Sequence, residues 1–215
     1  HADYVLVNRM AENATNVNQL LDQLLAAYLP AAKEEVKAVQ EMAARTEGKD
    51  FELMPWDWSF YSEKLRSEKY SLNDEMVRPY FKLENVTNGV FGLATRLYGI
   101  TFVENKDIPV YHPDVKAYDV LDKDGSYLAV IYTDFFPRAG KRSGAWMTNY
   151  KEQYIKNGVD SRPHVSITMN FTKPTESKPA LLTQDEVETF LHEFGHALHG
   201  IFAATTFPSM GGTNV

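Results

Sequence analysis

Residues 183–203 read TQDEVETFLHEFGHALHGIFA, and this stretch decides how the rest of the sequence is interpreted. Thr183 and Glu186 form a T-x-x-E capping box ahead of an apolar-periodic run, which predicts a helix from Gln184 to about Ala203. With about 100° between successive residues, the apolar side chains form one stripe that must pack against the rest of the protein. The stripe contains Val187, Phe190, Leu191, Phe194, Leu198, Ile201 and Phe202.

The opposite side of the predicted helix carries histidines. His192 and His196 are one helical turn apart, so their Cβ atoms lie about 5–6 Å from each other and both imidazoles can bind one Zn²⁺. Glu193 lies beside the pair without being stacked on it, so its carboxylate can reach a water molecule bound to the metal. The metal makes that water more acidic, and Glu193 accepts its proton as general base and returns it to the leaving amine. The H-E-x-x-H pattern therefore predicts metal-assisted peptide hydrolysis.

The alternative for this helix is a surface helix with incidental histidines. The placement of the histidines opposite the apolar stripe argues against buried core residues. His199 shares their side but lies two turns from His192, which favours a supporting or surface role over metal binding. A third metal-binding histidine of the metzincin type would stand where the sequence has Phe202, so that class is disfavoured.

The sequence before residue 100 has the periodicity of helices. Residues 15–45 predict one helix that Pro30 should kink or divide. Residues 55–70 and 82–98 predict two more, and Gly99 is placed as the C-terminal cap of the last. The apolar side chains of the first helix are Leu20, Leu21, Leu24, Leu25, Tyr28, Leu29, Val36 and Val39.

The sequence after residue 105 is richer in Tyr, Val and Ile. Residues 116–121 and 126–133 predict a β-hairpin around the turn at 122–125, and residues 165–171 predict a further short strand. We therefore expect a mainly α protein with a small β-sheet, an α+β class. The expected boundary near Asn105 separates a helical region, 1–105, from an α+β region, 106–215.

The composition is that of an ordinary globular protein, with 44% hydrophobic and 24% charged residues. The formal net charge is −7 and no block of Lys and Arg stands out, so a nucleic-acid or anionic-membrane surface is not expected. No apolar run approaches the roughly 20 residues of a membrane-spanning helix. The chain has no Cys, which leaves His, Asp and Glu as metal ligands.

Four segments carry a resemblance to a known family. They are FLHEFGHALHG at 190–200, PYFKLENV at 79–86, YHPDV at 111–115 and YTDFFPR at 132–138. Together they resemble the thimet oligopeptidase family of zinc metallopeptidases, and the bacterial peptidyl-dipeptidase branch fits best. The resemblance spans the whole chain. Because members of that family are much longer, the chain is expected to be an internal fragment that matches roughly their middle third.

The resemblance implies a zincin-like, two-lobed and mostly helical peptidase with a deep channel. It implies one Zn²⁺ per active site and a third ligand, a Glu, beyond Val215. Two imidazoles alone leave the coordination shell open, so we expect the isolated fragment to bind zinc weakly and to hydrolyse peptides poorly. Gly144 and Ala145 should border the channel at a sheet edge and offer backbone groups to an extended peptide. The alternative there is an ordinary loop with a packed Trp146.

The expected function is the hydrolysis of short peptides with release of C-terminal dipeptides. One alternative is an oligoendopeptidase of the same family, which uses the same zinc helix. The alternative from another class is an inert helical binding or scaffold fragment. The expected partner is a short peptide, with no nucleic acid and no membrane, and the oligomeric state is left open. The expected compartment is the cytoplasm, with the periplasm as the alternative.

Overall fold

The structure is a computed structural model that describes residues 1–70 and 74–214. The chain forms two compact units, His1–Asn73 and Asp74–Val215. No helix in these described ranges is both long and apolar enough to cross a membrane.

The first unit is helical. A short helix α1, Ala2–Leu6, precedes the long helix α2, Ala14–Glu47, and α3 follows at Trp58–Tyr70. The side chain of Asn13 caps α2 by accepting a hydrogen bond from the Asn16 backbone nitrogen at 2.9 Å. Of the two predicted effects of Pro30, division of the helix is wrong, because α2 continues through it, and a kink stays a prediction.

Most of the apolar stripe of α2 is exposed. Among the described residues, one end of the helix reaches a core, in which Val39, Met42 and Ala43 pack with Tyr61 of α3. The remaining apolar side chains are 40% to 67% exposed, and we call them the α2 stripe. They are Leu20, Leu21, Leu24, Leu25, Tyr28, Leu29 and Val36.

The second unit is built on a five-stranded sheet with the order β1-β2-β3-β7-β4. Its strands are β1 (Thr101–Glu104), β2 (Lys116–Leu121), β3 (Tyr127–Asp134), β4 (Trp146–Lys151) and β7 (His164–Thr168). All neighbours are antiparallel except β3 and β7, which are parallel. Strands β5 (Tyr154–Lys156) and β6 (Val159–Ser161) form a separate hairpin. Strand β4 therefore lies at one edge of the large sheet.

The helices of this unit are α4 (Asp74–Val77), α5 (Leu83–Tyr98) and α6 (Gln184–Ile201). Short 3-10 turns lie at Arg78–Tyr80, Pro208–Met210 and Gly212–Asn214. Helices α5 and α6 contribute to the main hydrophobic core together with the sheet. The core residues include Val90 and Ala94 of α5, Phe190, Phe194, Ala197 and Ile201 of α6, and Ile131, Val165 and Ile167 of the strands. The sheet therefore supports one side of α6.

Helix α6 approaches strand β4 closely at Gly200. A Cβ atom on Gly200 would lie 2.9 Å from Met147 Cε, 3.0 Å from Asn149 Oδ1 and 3.1 Å from Val165 Cγ1. Because side chains alternate along a strand, Met147 and Asn149 face α6, whereas Trp146 and Thr148 face the other side of the sheet.

The predicted fold class is confirmed, since the chain is mainly helical and also has a small mixed sheet. Helix α5 ends as predicted at Gly99, which has a left-handed φ of +79°. The hairpin of β2 and β3 is also confirmed. Helices give way to strands at Thr101, and the compact units divide between Asn73 and Asp74. The domain boundary near Asn105 stays a prediction.

Two observations differ from what the sequence predicts, one on helix α6 and one in the strands. Leu191 and Phe202 are 40% and 39% exposed, so the buried stripe of α6 is narrower than predicted. Four strands, β1, β4, β5 and β6, were not predicted. The reason is physical, because each is short and has polar or exposed side chains, so it is defined by its neighbouring strand and not by its own pattern.

Candidate active site

The start of α6 determines which side chains face the core. Thr183 Oγ1 accepts a hydrogen bond from the Glu186 backbone nitrogen at 3.1 Å, and Glu186 Oε2 accepts one from the Thr183 backbone nitrogen at 2.8 Å. The predicted capping box is therefore present. With this start, Phe190, Phe194, Ala197 and Ile201 are buried, and the histidines lie on the exposed side.

His192 and His196 are close together on that exposed side. Their Nε2 atoms are 3.2 Å apart, and the ring planes are inclined by 85°. Four tetrahedral ligands at about 2.0–2.1 Å from a zinc ion place any two nitrogens about 3.3–3.4 Å apart. The separation of the two imidazole nitrogens fits that spacing, and imidazole is a ligand that suits zinc.

Glu193 lies next in the chain and is only 9% exposed. Its carboxylate makes no hydrogen bond or ion pair with any other described residue. A carboxylate in that position keeps its oxygen lone pairs free to accept a proton.

The described residues contain no group of three or more His, Asp or Glu side chains that could hold a metal ion. His199 and Glu193 therefore do not complete a ligand set with the pair. His199 is exposed in the last turn of the helix, as expected of a supporting or surface residue. The third ligand that the resemblance implies beyond Val215 stays a prediction.

Gly144 and Ala145 directly precede the edge strand β4. The side chain of Asn170, which follows β7, donates hydrogen bonds to the backbone oxygens of Arg142 at 3.0 Å and of Gly144 at 2.7 Å. Gly144 has φ +92°, a conformation that a residue with a side chain would adopt only with strain. Two hydrogen bonds therefore tie the segment before the edge strand to Asn170.

An ionic cluster around the buried carboxylate of Asp134, absent from our sequence predictions, lies at the end of β3. The carboxylate of Asp134 accepts two hydrogen bonds from Arg138, at 2.7 and 2.8 Å, one from Lys141 at 2.9 Å and one from the Tyr111 hydroxyl at 2.9 Å. Lys141 also donates to the backbone oxygen of Phe136 at 2.8 Å. The spacing of Asp, Arg and Lys after a strand was the available signal, but it does not reveal Tyr111.

The protonation of this cluster follows from its contacts. Burial alone would raise the pKa of Asp134, but hydrogen bonds from Arg138, Lys141 and Tyr111 outweigh it, and the pKa lies below its ordinary value. Burial lowers the pKa of Lys141 despite the neighbouring carboxylate. Burial also raises the pKa of Tyr111, with further contributions from hydrogen bonds to Tyr150 and Asp134. The cluster is thus a charged carboxylate surrounded by donors.

The chain is similar in sequence to known proteins along its whole length. The sequence model of peptidase family M3 matches residues 1–215. The chain belongs to peptidase family M3. The resemblance inferred from the motifs is thereby confirmed, including its extent over the whole chain. Family M3 is a family of metallopeptidases that are generally zinc-dependent.

Several M3 relatives are similar over most of the chain. Dipeptidyl carboxypeptidase of Escherichia coli is 40% identical over 215 residues, which are 100% of this chain and 31% of that protein. Oligopeptidase A of Escherichia coli is 41% identical over 195 residues, 90% of this chain and 28% of that protein. Saccharolysin of Saccharomyces cerevisiae is 31% identical over 214 residues, 94% of this chain and 30% of that protein. The chain spans about a third of the length of these relatives.

Proposed function

We propose that the whole protein is a zinc metallopeptidase that hydrolyses short peptides and releases dipeptides from the C-terminal end. The observation that carries the proposal is the pair of imidazole nitrogens 3.2 Å apart on α6, with Glu193 next to His192 in the chain. Membership of a peptidase family supports the reaction class and counts against an inert scaffold. The likeness to dipeptidyl carboxypeptidases supports the release of dipeptides.

The residues of α6 have separate roles in this proposal. His192 and His196 would hold the metal. A bound zinc ion would supply Lewis-acid polarisation of the scissile carbonyl and would acidify the attacking water. Glu193 accepts the proton of that water and delivers it to the leaving amine, so one carboxylate acts first as base and then as acid.

The edge strand supplies the second part of the proposed site. Residues Gly144 and Ala145 lead into β4, whose outer side faces no other strand of its sheet among the described residues. An extended peptide can add to such an edge through backbone hydrogen bonds. Helix α6 packs against the same strand, which puts the edge beside the helix that carries the histidines.

The first test is the substitution Glu193→Gln in the whole protein. An amide cannot accept the proton, so we expect kcat/KM to fall by roughly 10²- to 10⁴-fold while the zinc content is unchanged. Activity on a fluorogenic peptide and metal analysis measure the two quantities. Glu188→Gln is the matched control, because Glu188 is exposed on the same helix and should leave activity unchanged. Full turnover by Glu193→Gln would remove Glu193 as the base.

A second candidate is an oligoendopeptidase that cleaves inside short peptides. The likeness to oligopeptidase A, at 41% identity, supports this second candidate. Analysis of the products from peptides with free and amidated C-termini separates the two. Dipeptide release that stops on amidation supports the first candidate, and internal cleavage of both peptides supports the second. The cytoplasmic compartment stays a prediction.

A further inference from the structure

A cleft of about 700 Å³ lies beside the edge strand β4. It is lined by Tyr111, Trp146, Thr148 and Tyr150 and by the basic residues Arg138 and Arg142. Trp146 and Thr148 alternate with Met147 and Asn149, which face α6. The cleft, which we call the β4 cleft, is therefore on the side of the sheet opposite the zinc helix and is not the metal site.

The β4 cleft carries an excess of positive charge in a protein with a net charge of −7. Its lining contains Arg138, Lys141 and Arg142 against the single carboxylate of Asp134. Arg138 and Lys141 both bind that carboxylate. The guanidinium of Arg142 lies over the Trp146 ring, 5.1 Å from its centroid, and pairs with no carboxylate of the described residues. Arg142 is thus the cation that remains available to a ligand.

The cleft is held in shape before any ligand arrives. The side chain of Lys141 is only 3% exposed and joins the Asp134 carboxylate to the backbone of Phe136. Asn170 binds the backbone oxygens of Arg142 and Gly144. A preformed site loses little conformational entropy when it binds, so even one exposed ion pair can affect affinity.

A peptide that adds to the edge of β4 directs successive side chains to opposite sides of the sheet. Alternate side chains therefore face α6, and those between them face the β4 cleft. We propose that the β4 cleft is a side-chain subsite of the substrate edge, and that it selects peptides with Asp or Glu at the position facing Arg142. This inference rests on the proposed peptidase function and names the substrate class of that site.

The test uses the whole zinc-loaded protein and two peptide series that differ only by Glu or Gln at successive positions. We expect Glu to be preferred at one position by roughly fivefold in kcat/KM, mainly through KM, as for an exposed ion pair. Arg142→Gln should abolish that preference, so that the Glu and Gln peptides are hydrolysed with equal kcat/KM. Arg142→Lys should keep part of it, because the charge remains.

The control variant is Arg96→Gln, which removes an exposed charge from α5 and should leave the preference intact. Calorimetry with the Glu193→Gln variant measures the affinity for the Glu and Gln peptides without turnover, and the Glu peptide should bind more tightly. Equal affinity at every position, or a preference that survives Arg142→Gln, would overturn the subsite. A third outcome separates the two proposals. If calorimetry shows the preference for the Glu peptide but the unmodified protein hydrolyses neither series, the peptidase proposal fails and the subsite stands.

Discussion

Helices α2 and α6 have similar apolar periodicity but different surroundings. On α6 the side chains of Phe190, Phe194, Ala197 and Ile201 are at most 3% exposed, whereas the α2 stripe is 40% to 67% exposed. An apolar stripe predicts that a helix forms and which side it would bury, but burial also requires a partner surface. The strands of the second unit provide that partner for α6. The comparison teaches that periodicity alone does not measure how much a helix contributes to stability.

The largest expected effect comes from truncating a buried residue of α6. Phe190→Ala should lower the free energy of unfolding by about 3–5 kcal/mol, because it leaves a cavity in the main core. Leu25→Ala in the α2 stripe should change it by less than about 0.5 kcal/mol, because that side chain is already exposed. Urea denaturation followed by circular dichroism measures both. Similar losses of unfolding free energy for the two substitutions would show that the apolar stripes of α6 and α2 contribute equally to stability.

The second-largest effect is expected in the ionic cluster around Asp134. Asp134→Asn should cost roughly 3 kcal/mol at neutral pH, because it leaves the buried ammonium of Lys141 without a carboxylate. The folded-state pKa of Asp134 is lowered, so its contribution is present above the ordinary Asp value of about 3.9 and is lost as the pH falls through the lower folded value.

The difference in free energy of unfolding between the original protein and Asp134→Asn should therefore shrink below about pH 4. Denaturation at a series of pH values tests this. Asp22→Asn on α2 is the matched control, since Asp22 is exposed and should show almost no cost at any pH. A difference that stays constant down to low pH would mean that the charge of Asp134 does not stabilise the fold.

The helices that could be predicted from the sequence have local signals. The capping box at Thr183 and the glycine cap at Gly99 both depend on residues within a few positions of each other. The hairpin of β2 and β3 has its turn between the two strands. The paired histidines of the candidate site are also local, because one helical turn fixes their separation.

The parts that were missed depend on contacts between distant residues. Strand β4 is fixed by pairing with β7, and the Asp134 cluster needs Tyr111, which lies 23 residues earlier. The β4 cleft likewise combines residues 111 and 134 with the start of β4. Exposure of the α2 stripe could not be predicted either, since the pattern of a helix does not state whether a partner is present.

An effect of intermediate size is expected at two glycines of α6. Substitution by Ala should lower the stability at one of them and raise it at the other. Gly200→Ala should cost about 1–3 kcal/mol, because the new methyl group would meet Met147, Asn149 and Val165 at or below 3.1 Å. Gly195→Ala has open space around it and should stabilise the helix by about 0.5–1 kcal/mol through helix propensity. Thermal unfolding of the two variants compares them directly. Equal shifts would argue against the close approach of α6 to β4.

The smallest effect is expected on the exposed side of α6. Zinc at a concentration near its Kd stabilises a protein by only about 0.4 kcal/mol, which corresponds to a rise in Tm of about 1 °C for a chain of this size. Two imidazoles leave the coordination shell open, so low-micromolar zinc should shift the Tm of the isolated chain by no more than that. His196→Ala should remove the shift. Because that side of the helix is exposed, the substitution itself should cost little. A tight one-to-one complex and a shift of many degrees would mean that the described residues already supply a complete site.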